Sequence, residues 1–520
     1  MALRKIVSVE EMVQIEQAAN AAGHSYDQMM EHAGKAVAEA VLARFPEIAG
    51  NHILVLAGTG NNGGDGLVAA RLLAEAGASV AIYLTKERPA DDPYLTALKE
   101  HRLLIANSEE DQRDRVLNLQ LGRADIVIDA VLGTGFQLPL KGAAKQVLKA
   151  AKRSKASQFV VAVDCPSGLD CDTGEISDES LAADLTVTLA AAKPGLFQFP
   201  GAAQVGEIVV GDIGLSADQK ELTSITREIA TAEYVRALLP ARPPDAHKGT
   251  FGKALIAAGS INYPGAAALA GRAAYLAGAG LVSLAVPTPV QTMIAGGIPE
   301  CIWLPLGHVL EESSVDLLVS ELTETQGFLL GPGLGVASKT AEFVRALLQV
   351  NSGNSELPPS VFDADGLKLL AGIEGWHSIL PADSVLTPHP GEMRELTGIE
   401  TQEIQDNRTE IATKQASEWG QIVILKGAFT VIAHPDGRSA LIPIATPALA
   451  RAGTGDVLAG LLVGYRAQGV AAYEASVLAC YVHARAGSLA AHKLGTTASV
   501  LASDVASAIP MAIAELEESQ

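Results

Sequence analysis

Three clusters of oxygen-bearing side chains, each set among glycines, mark where the first half of this 520-residue chain could do chemistry. AGTGNNGGDG, residues 57–66, carries Asn61, Asn62 and Asp65; DAVLGTG brings Asp129 ahead of Gly133, Thr134 and Gly135; DCPSGLD carries Asp164 and Ser167. Gly58, Gly60 and Gly63 fit the spacing G-x-G-x-x-G, whose backbone N–H groups at a helix start can receive an anion. The two asparagines and the aspartate add oxygen acceptors, which suit a cation or a hydroxyl-rich ligand. Taken alone, the motif is explained equally well by a tight turn with Asn and Asp at left-handed positions. Asp129 and Asp164 have a plain alternative as turn or helix-cap residues, and Gly133 to Gly135 form a second turn able to hold an anion.

In the second half the densest cluster is ARAGTGDVLAG, residues 450–460, a glycine turn running straight into an apolar helix with an acid in its first turn. Backbone N–H groups of Ala452 to Gly455 could face a transferring phosphoryl group while Asp456 accepts a proton from the attacking hydroxyl. The alternative is an N-cap aspartate behind a flexible loop. Lys426 lies between a fully apolar strand and Gly427, which favours a phosphate partner over a surface lysine at a strand end. His389 in LTPHPGEM reads by itself as a loop histidine bonded to its own backbone.

These residues need strands to carry them. ILVLAG, VAIYL (80–84), DIVIDAVLG (125–133), FVVAVDCPSG (159–168) and DLTVTLAA (184–191) are short apolar runs separated by helical or loop stretches. Continuous apolar strands of this kind predict a mainly parallel sheet covered on both faces, with ligands at the carboxyl ends of its strands. Residues 8–45 read as helical. Between GDIGLSADQKELTS and LLPARPPDAHKGTFG the apolar rhythm lapses and prolines accumulate, which places a boundary near residue 225. A second αβ series starts at KALIAAGS (253–260) and runs through GPGLG (331–335), DADGLKLL (363–370) and VILKGAFTVI (423–432). The fold class is therefore α/β, in two domains of residues 1–225 and 226–520, and no repeated motif makes one a copy of the other.

The totals exclude some functions. Lys plus Arg number 38 against 59 Asp plus Glu, a formal charge of −21, and no basic cluster offers a footprint for nucleic acid. The four cysteines are scattered without metal-ligand spacing and the first residues turn polar and helical without an apolar segment, so free thiols and a cytoplasmic location are expected. The most apolar stretches are broken by charges and glycines, and no membrane span is expected.

In order and separation, GNNGGDG, DAVLGTGFQ and DCPSGLD resemble the N-terminal epimerase domain of the NAD(P)H-hydrate repair enzymes. The resemblance runs over roughly the first 215 residues. It implies a Rossmann-like α/β/α sandwich that interconverts the R and S forms of hydrated NADH or NADPH. It also implies K⁺ bound by Asn62, Asp129 and Ser167, and substrate held by Asn61, Asn62, Gly63, Gly64 and Asp65, by Gly133, Thr134, Gly135, Phe136, Gln137, Leu138 and Pro139, and by Asp164. Cys165 departs from the family pattern, where a branched aliphatic residue is expected. Inverting the hydroxyl-bearing ring carbon needs proton transfer to and from the bound hydrate, and Asp164 is the candidate base. Burial raises a carboxylate's pKa and a nearby cation lowers it.

ARAGTGD resembles the signature of the ribokinase-like fold, and the motifs from GPGLG to VILKGAFTVI follow that fold's order. Over about residues 235–515 the chain looks closest to the NAD(P)H-hydrate dehydratases, with HPGE distinguishing it from vitamin-precursor kinases of the same fold. The resemblance implies that Lys426, Gly427, Ala428, Phe429 and Thr430 hold the nucleotide together with Gly455. Ala266, Gly333, His389 and Asp456 would face the hydrate. Dehydration would proceed by phosphoryl transfer from ADP to the ring hydroxyl and loss of phosphate, leaving AMP, with Mg²⁺ accompanying the nucleotide. The small-molecule partners are then hydrated NADH or NADPH and ADP, and a homo-oligomer is expected. Two other functions stay open here: a vitamin-precursor kinase fused to a binding domain, and a nucleotide sensor without catalysis.

Overall fold

The computed structural model describes residues 5–518 apart from 90, 100, 102, 155–157, 351–356 and 359. The chain divides into two compact units, Met1–Arg227 and Glu228–Gln520.

The first unit opens with helices Val9–Ala21 and Tyr26–Arg44, each started by a reciprocal cap, Ser8 with Glu11 and Ser25 with Gln28. Such boxes satisfy backbone donors that a helix start leaves bare. The helical stretch predicted over 8–45 is thus two helices, parted at Gly23, whose φ is +101°. Seven strands follow: β1 (His52–Ala57), β2 (Ser79–Leu84), β3 (Leu104–Asn107), β4 (Ile126–Ala130), β5 (Phe159–Val163), β6 (Leu185–Leu189) and β7 (Glu207–Gly211). They lie in the order β3-β2-β1-β4-β5-β6-β7, every pair parallel. Strand order reverses between β1 and β4, with Leu56 beside Asp129. The helices that follow those two strands pack on opposite faces of the sheet, and such a reversal is where sheets of this kind form a crevice for ligands.

The second unit is a ten-stranded sheet of β8 (Arg227–Ile229), β9 (Lys253–Ala257), β10 (Leu281–Val286), β11 (Ile302–Pro305), β12 (Gly327–Leu330), β13 (Ser360–Phe362), β14 (Val385–Leu386), β15 (Ile422–Leu425), β16 (Val431–Ala433) and β17 (Ser439–Leu441). The order is β11-β10-β9-β12-β13-β14-β15-β16-β17-β8, parallel from β11 to β15 and antiparallel through β15, β16 and β17. Here the reversal falls between β9 and β12. One apolar core packs helices Pro264–Leu276, Thr454–Ala467, Ala472–Leu494 and Ala502–Glu518 on one face of the sheet, and a second packs Ser338–Val350, Asp365–Ala371, Pro390–Thr397 and Arg408–Trp419 on the other.

Helices Pro264–Leu276 and Thr454–Ala467 touch backbone to backbone. A Cβ on Gly460 would collide with the Ala270 carbonyl oxygen, and one on Gly464 would lie 2.7 Å from the Ala274 carbonyl oxygen. Only glycine allows that approach, closer than the usual helix spacing. All four cysteines are buried and free. Among the described residues no helix is long and apolar enough to cross a membrane.

Candidate active sites

In the first unit the glycine turn after β1 is shaped by contact with β4. A Cβ on Gly58 would strike the Val131 carbonyl oxygen, and one on Gly63 would strike the carbonyl of Gly58. Helix Asn61–Glu75 starts on Gly60 with no side-chain cap, so its positive end stays open to a ligand. Asn61 is exposed, while Asn62, Gly63, Gly64 and Asp65 are buried. Arg88 ties the turn down: Nη1 donates to the Gly58 carbonyl at 2.7 Å and Nε to Asp92 Oδ2 at 2.7 Å.

Asp129 is fully buried at the crevice. Its Oδ1 accepts from Ser167 Oγ at 2.6 Å and its Oδ2 from the Ser167 N–H at 2.9 Å. The Val131 N–H also reaches Oδ1, at 3.3 Å, so the turn role and the site role coexist in one carboxylate. Burial pushes its pKa up, against the hydrogen bonds from Ser167 and Val131. Asn62 is 8% exposed and its amide nitrogen has no hydrogen-bond partner. Gly133 lies against it, where a Cβ would come within 3.2 Å of Asn62 Cβ. Beyond Gly133, Thr134, Phe136 and Leu138 are half-buried, and Gly135, Gln137 and Pro139 are exposed, forming a rim rather than a floor.

Asp164 sits just past β5 with φ at +64°, a left-handed conformation that aspartate and asparagine tolerate better than most residues. Its Oδ1 pairs with Lys193 Nζ and accepts from the Leu189 N–H at 3.0 Å. Lys193 is 1% exposed and also donates to Leu189 O at 2.9 Å and Thr188 Oγ1 at 3.2 Å. Burial alone would lower its pKa, but the Asp164 carboxylate outweighs that and raises it. The same carboxylate acts on Asp65, whose pKa is driven well up by burial and then by Asp164 and Glu16, with Lys193 opposing. One acid is therefore held as an ion pair while its neighbour is held towards the neutral form. Opposed environments of this kind separate acid from base.

In the second unit, helix Thr454–Ala467 begins on Gly453, φ +90°, without a side-chain cap. Asp456 is thus in the first turn and is not the N-cap. Burial, and then Asp363, lift its pKa to about 7, with Lys426 pulling the other way. Lys426 Nζ bonds Asp363 Oδ1 at 2.6 Å and lies 3.6 Å from Glu392 Oε2. Asp363 is 1% exposed and also accepts from Thr387 Oγ1 at 2.6 Å. Burial would lower the Lys426 pKa, but Asp363, Glu392 and Asp456 together raise it. A Cβ on Gly455 would stand 3.7 Å from Lys426 Nζ, so the glycine turn and the lysine share one place.

His389 caps helix Pro390–Thr397. Its Nδ1 accepts from the N–H groups of Gly391 and Glu392, and Glu392 returns a bond to the His389 N–H at 2.9 Å. The backbone-bonded histidine expected from the residue alone is what the geometry shows, with the outer edge of the ring exposed. At the β9–β12 reversal, Gly333 (φ +65°) presses on the β9 loop, where a Cβ would come 2.8 Å from Ala266 Cβ and 2.9 Å from Tyr263 Cβ. The stretch 423–432 is a hairpin, β15 and β16 antiparallel around Lys426–Thr430. Gly427 has φ +151° and Phe429 +53°, Ala428 lies between them, and Thr430 Oγ1 donates to Gly427 O at 3.0 Å.

Lys193, Arg88, Glu16, Asp363 and Glu392 were not singled out by their residue types. Lys193 had one visible mark, a lysine inside the otherwise apolar run TVTLAAAKPGLF. Among the described residues, no group of three or more His, Cys, Asp or Glu is arranged to hold a metal ion.

A family described as NAD(P)H-hydrate dehydratase matches residues 254–511, and one described as YjeF-related protein N-terminus matches residues 26–195. The chain is 39% identical over 511 residues to the bifunctional NAD(P)H-hydrate repair enzyme of Moorella thermoacetica, covering 94% of this chain and 93% of that one. It is 33% identical to the enzyme of the same description from Coxiella burnetii, covering 95% and 96%. A solved ADP/ATP-dependent NAD(P)H-hydrate dehydratase from Bacillus subtilis, co-crystallised with ATP/Mg²⁺, is 30% identical, covering 55% of this chain and 98% of that one at a TM-score of 0.48.

Proposed function

The chain belongs to the bifunctional NAD(P)H-hydrate repair enzymes, and from that we propose that its two units divide the work: the first epimerises hydrated NADH or NADPH, the second dehydrates the S form. The observation that carries this division is that each unit has its own sheet and its own candidate base, Asp164 just past β5 in the first and Asp456 in the first turn of helix Thr454–Ala467 in the second. The deciding experiment is product identity after mixing the chain with R hydrate and ADP. Recovered NADH with AMP and phosphate supports the proposal. A stable phosphorylated product supports a kinase instead.

In the epimerase site the hydrate lies in the crevice between the β1 and β4 loops, bounded by residues 61–65 and 133–139. Asp164, ion-paired with Lys193, takes the proton from the bound hydrate. Asp65, kept towards its neutral form, is the neighbouring group that can return one. K⁺ fits the remaining donors. Asp129 and Ser167 supply hard oxygens and Asn62 would add its side-chain carbonyl, and Asp129 is a buried carboxylate with no lysine or arginine beside it among the described residues. A buried charge is costly without a counter-charge, which the ion would supply.

In the dehydratase site, residues 426–430 and Gly455 hold ADP, while Ala266, Gly333, His389 and Asp456 face the hydrate. Asp456 takes the proton from the ring hydroxyl as the phosphoryl group is transferred to it. Mg²⁺ would arrive on the nucleotide's phosphates, since it keeps much of its water and needs few carboxylates. Glu392 is an oxygen donor already beside Lys426.

Two results are expected from this division. A fragment of residues 1–227 should be soluble and epimerise hydrated NADH unaided, because that unit has its own core. An insoluble fragment, with neither half active alone, would refute the division. In the whole chain, Asp129→Ala should abolish the dependence of epimerisation on K⁺ concentration and slow the reaction, while dehydration of pure S hydrate stays at the wild-type rate. Equal loss of both activities would mean the two sites are one.

A further inference from the structure

Arg408, the first residue of helix Arg408–Trp419, was not marked by any motif and has no part in the mechanism above. Its guanidinium is half-buried against the hairpin that carries residues 426–430. Nη2 donates to the Leu425 carbonyl at 2.8 Å and Nη1 to Gln405 Oε1 at 2.8 Å, while Nε is buried with no partner. Both partners are neutral. Burial pulls its pKa down to about 10, and no carboxylate opposes that. Lys193, Arg88 and Lys426 differ, each having an acid at its side, Asp164, Asp92 and Asp363 respectively. A guanidinium held partly out of water without a counter-charge is either a standing cost or a seat for an anion.

The surroundings favour an anion of one kind. Gly427 turns at φ +151° directly over the guanidinium, where a Cβ would lie 2.9 Å from both Nη1 and Nη2. The positive φ favours glycine here, and the missing side chain leaves the loop backbone against the guanidinium. The lysine next in line is already engaged, because Lys426 faces Asp363, Glu392 and Asp456 and cannot alone make that region attractive to a polyanion. A planar fork of N–H donors suits phosphate oxygens.

We propose that Arg408 is a phosphate-binding residue of the second unit, supplying the positive charge that receives the phosphates of the nucleoside diphosphate held by residues 426–430. This rests on the assignment of that loop as the nucleotide site. The alternative role is structural: through Leu425 O the side chain pins the end of β15.

The test separates the two by comparing ligands with and without phosphate. The full-length chain and its Arg408→Gln and Arg408→Lys variants are titrated with ADP and with adenosine, and the KM for S hydrate is measured for each. Losing a charge-assisted hydrogen bond should weaken ADP in Arg408→Gln by roughly 10- to 100-fold, with adenosine binding and the hydrate KM unchanged. Arg408→Lys keeps charge without the fork and should fall in between. Should Arg408→Gln fail to fold, the ADP-to-adenosine ratio is read in Arg408→Lys, and an unchanged ratio there overturns the proposal. So does equal weakening of ADP and adenosine, which marks a structural role, or a raised hydrate KM with ADP unaffected, which places the charge against the substrate's own phosphates. A wild-type chain that bound no ADP would remove the nucleotide assignment itself, and this proposal with it.

Discussion

Replacing Asp456 by asparagine should lower dehydration of S hydrate by roughly 10² to 10⁴-fold, the usual worth of a general base, while ADP still binds. The substitution keeps size and hydrogen bonding but cannot accept a proton. Nucleotide binding should survive because a negative charge beside phosphates is removed rather than a positive one. Burial and Asp363 lift the Asp456 pKa to about 7, so the wild-type rate should also fall as pH drops below about 7, where the acid takes up a proton and can no longer act as base. In Asp456→Asn that limb of the pH profile should vanish. Recovery of NADH absorbance measures both. Near-normal turnover in the variant, or a wild-type profile flat from pH 8 to 5, would exclude this aspartate as the base.

The second large effect is expected from Asp164→Asn on epimerisation, again roughly 10² to 10⁴-fold, with dehydration of S hydrate untouched. Asparagine tolerates the left-handed backbone at +64° and retains an oxygen for the Leu189 N–H, so strain adds little. What is lost besides the base is the counter-charge of Lys193, which is 1% exposed. Removing one partner of a buried pair costs about 3–5 kcal/mol, and the melting temperature of the first unit should fall accordingly. Adding Lys193→Met to Asp164→Asn should restore much of the stability without restoring activity. Activity recovered along with stability would show that Asp164 serves structure alone.

The elements that carry the sites were largely legible, because a parallel sheet buried on both faces writes itself as unbroken apolar runs. Strands β3 and β7 were not, since at the two edges of the sheet LIAN and EIVVG are only partly buried and the pattern fades. In VILKGAFTVI the apolar strand before Lys426 is legible, but not that the chain folds back on itself through positive φ at Gly427 and Phe429, the second a residue type that does not advertise such a turn. Asp129, Asp164 and Asp456 were legible from their glycine neighbours. Their partners were not: Lys193 is 29 positions from Asp164, and Lys426 is 63 from Asp363. Those pairs exist only because β5 lies beside β6, and because β13 and β15 flank β14, facts of topology that spacing in the chain does not contain.

The glycine contacts at 460 and 464 bear on how the second site keeps time with itself. Helix Thr454–Ala467 carries Asp456 at its start, and helix Pro264–Leu276 carries Ala266 at its own. Two rods clamped along their lengths have one fewer way to slip, so the starts of the two helices, one bearing Asp456 and the other Ala266, are held at a fixed spacing by backbone packed on backbone.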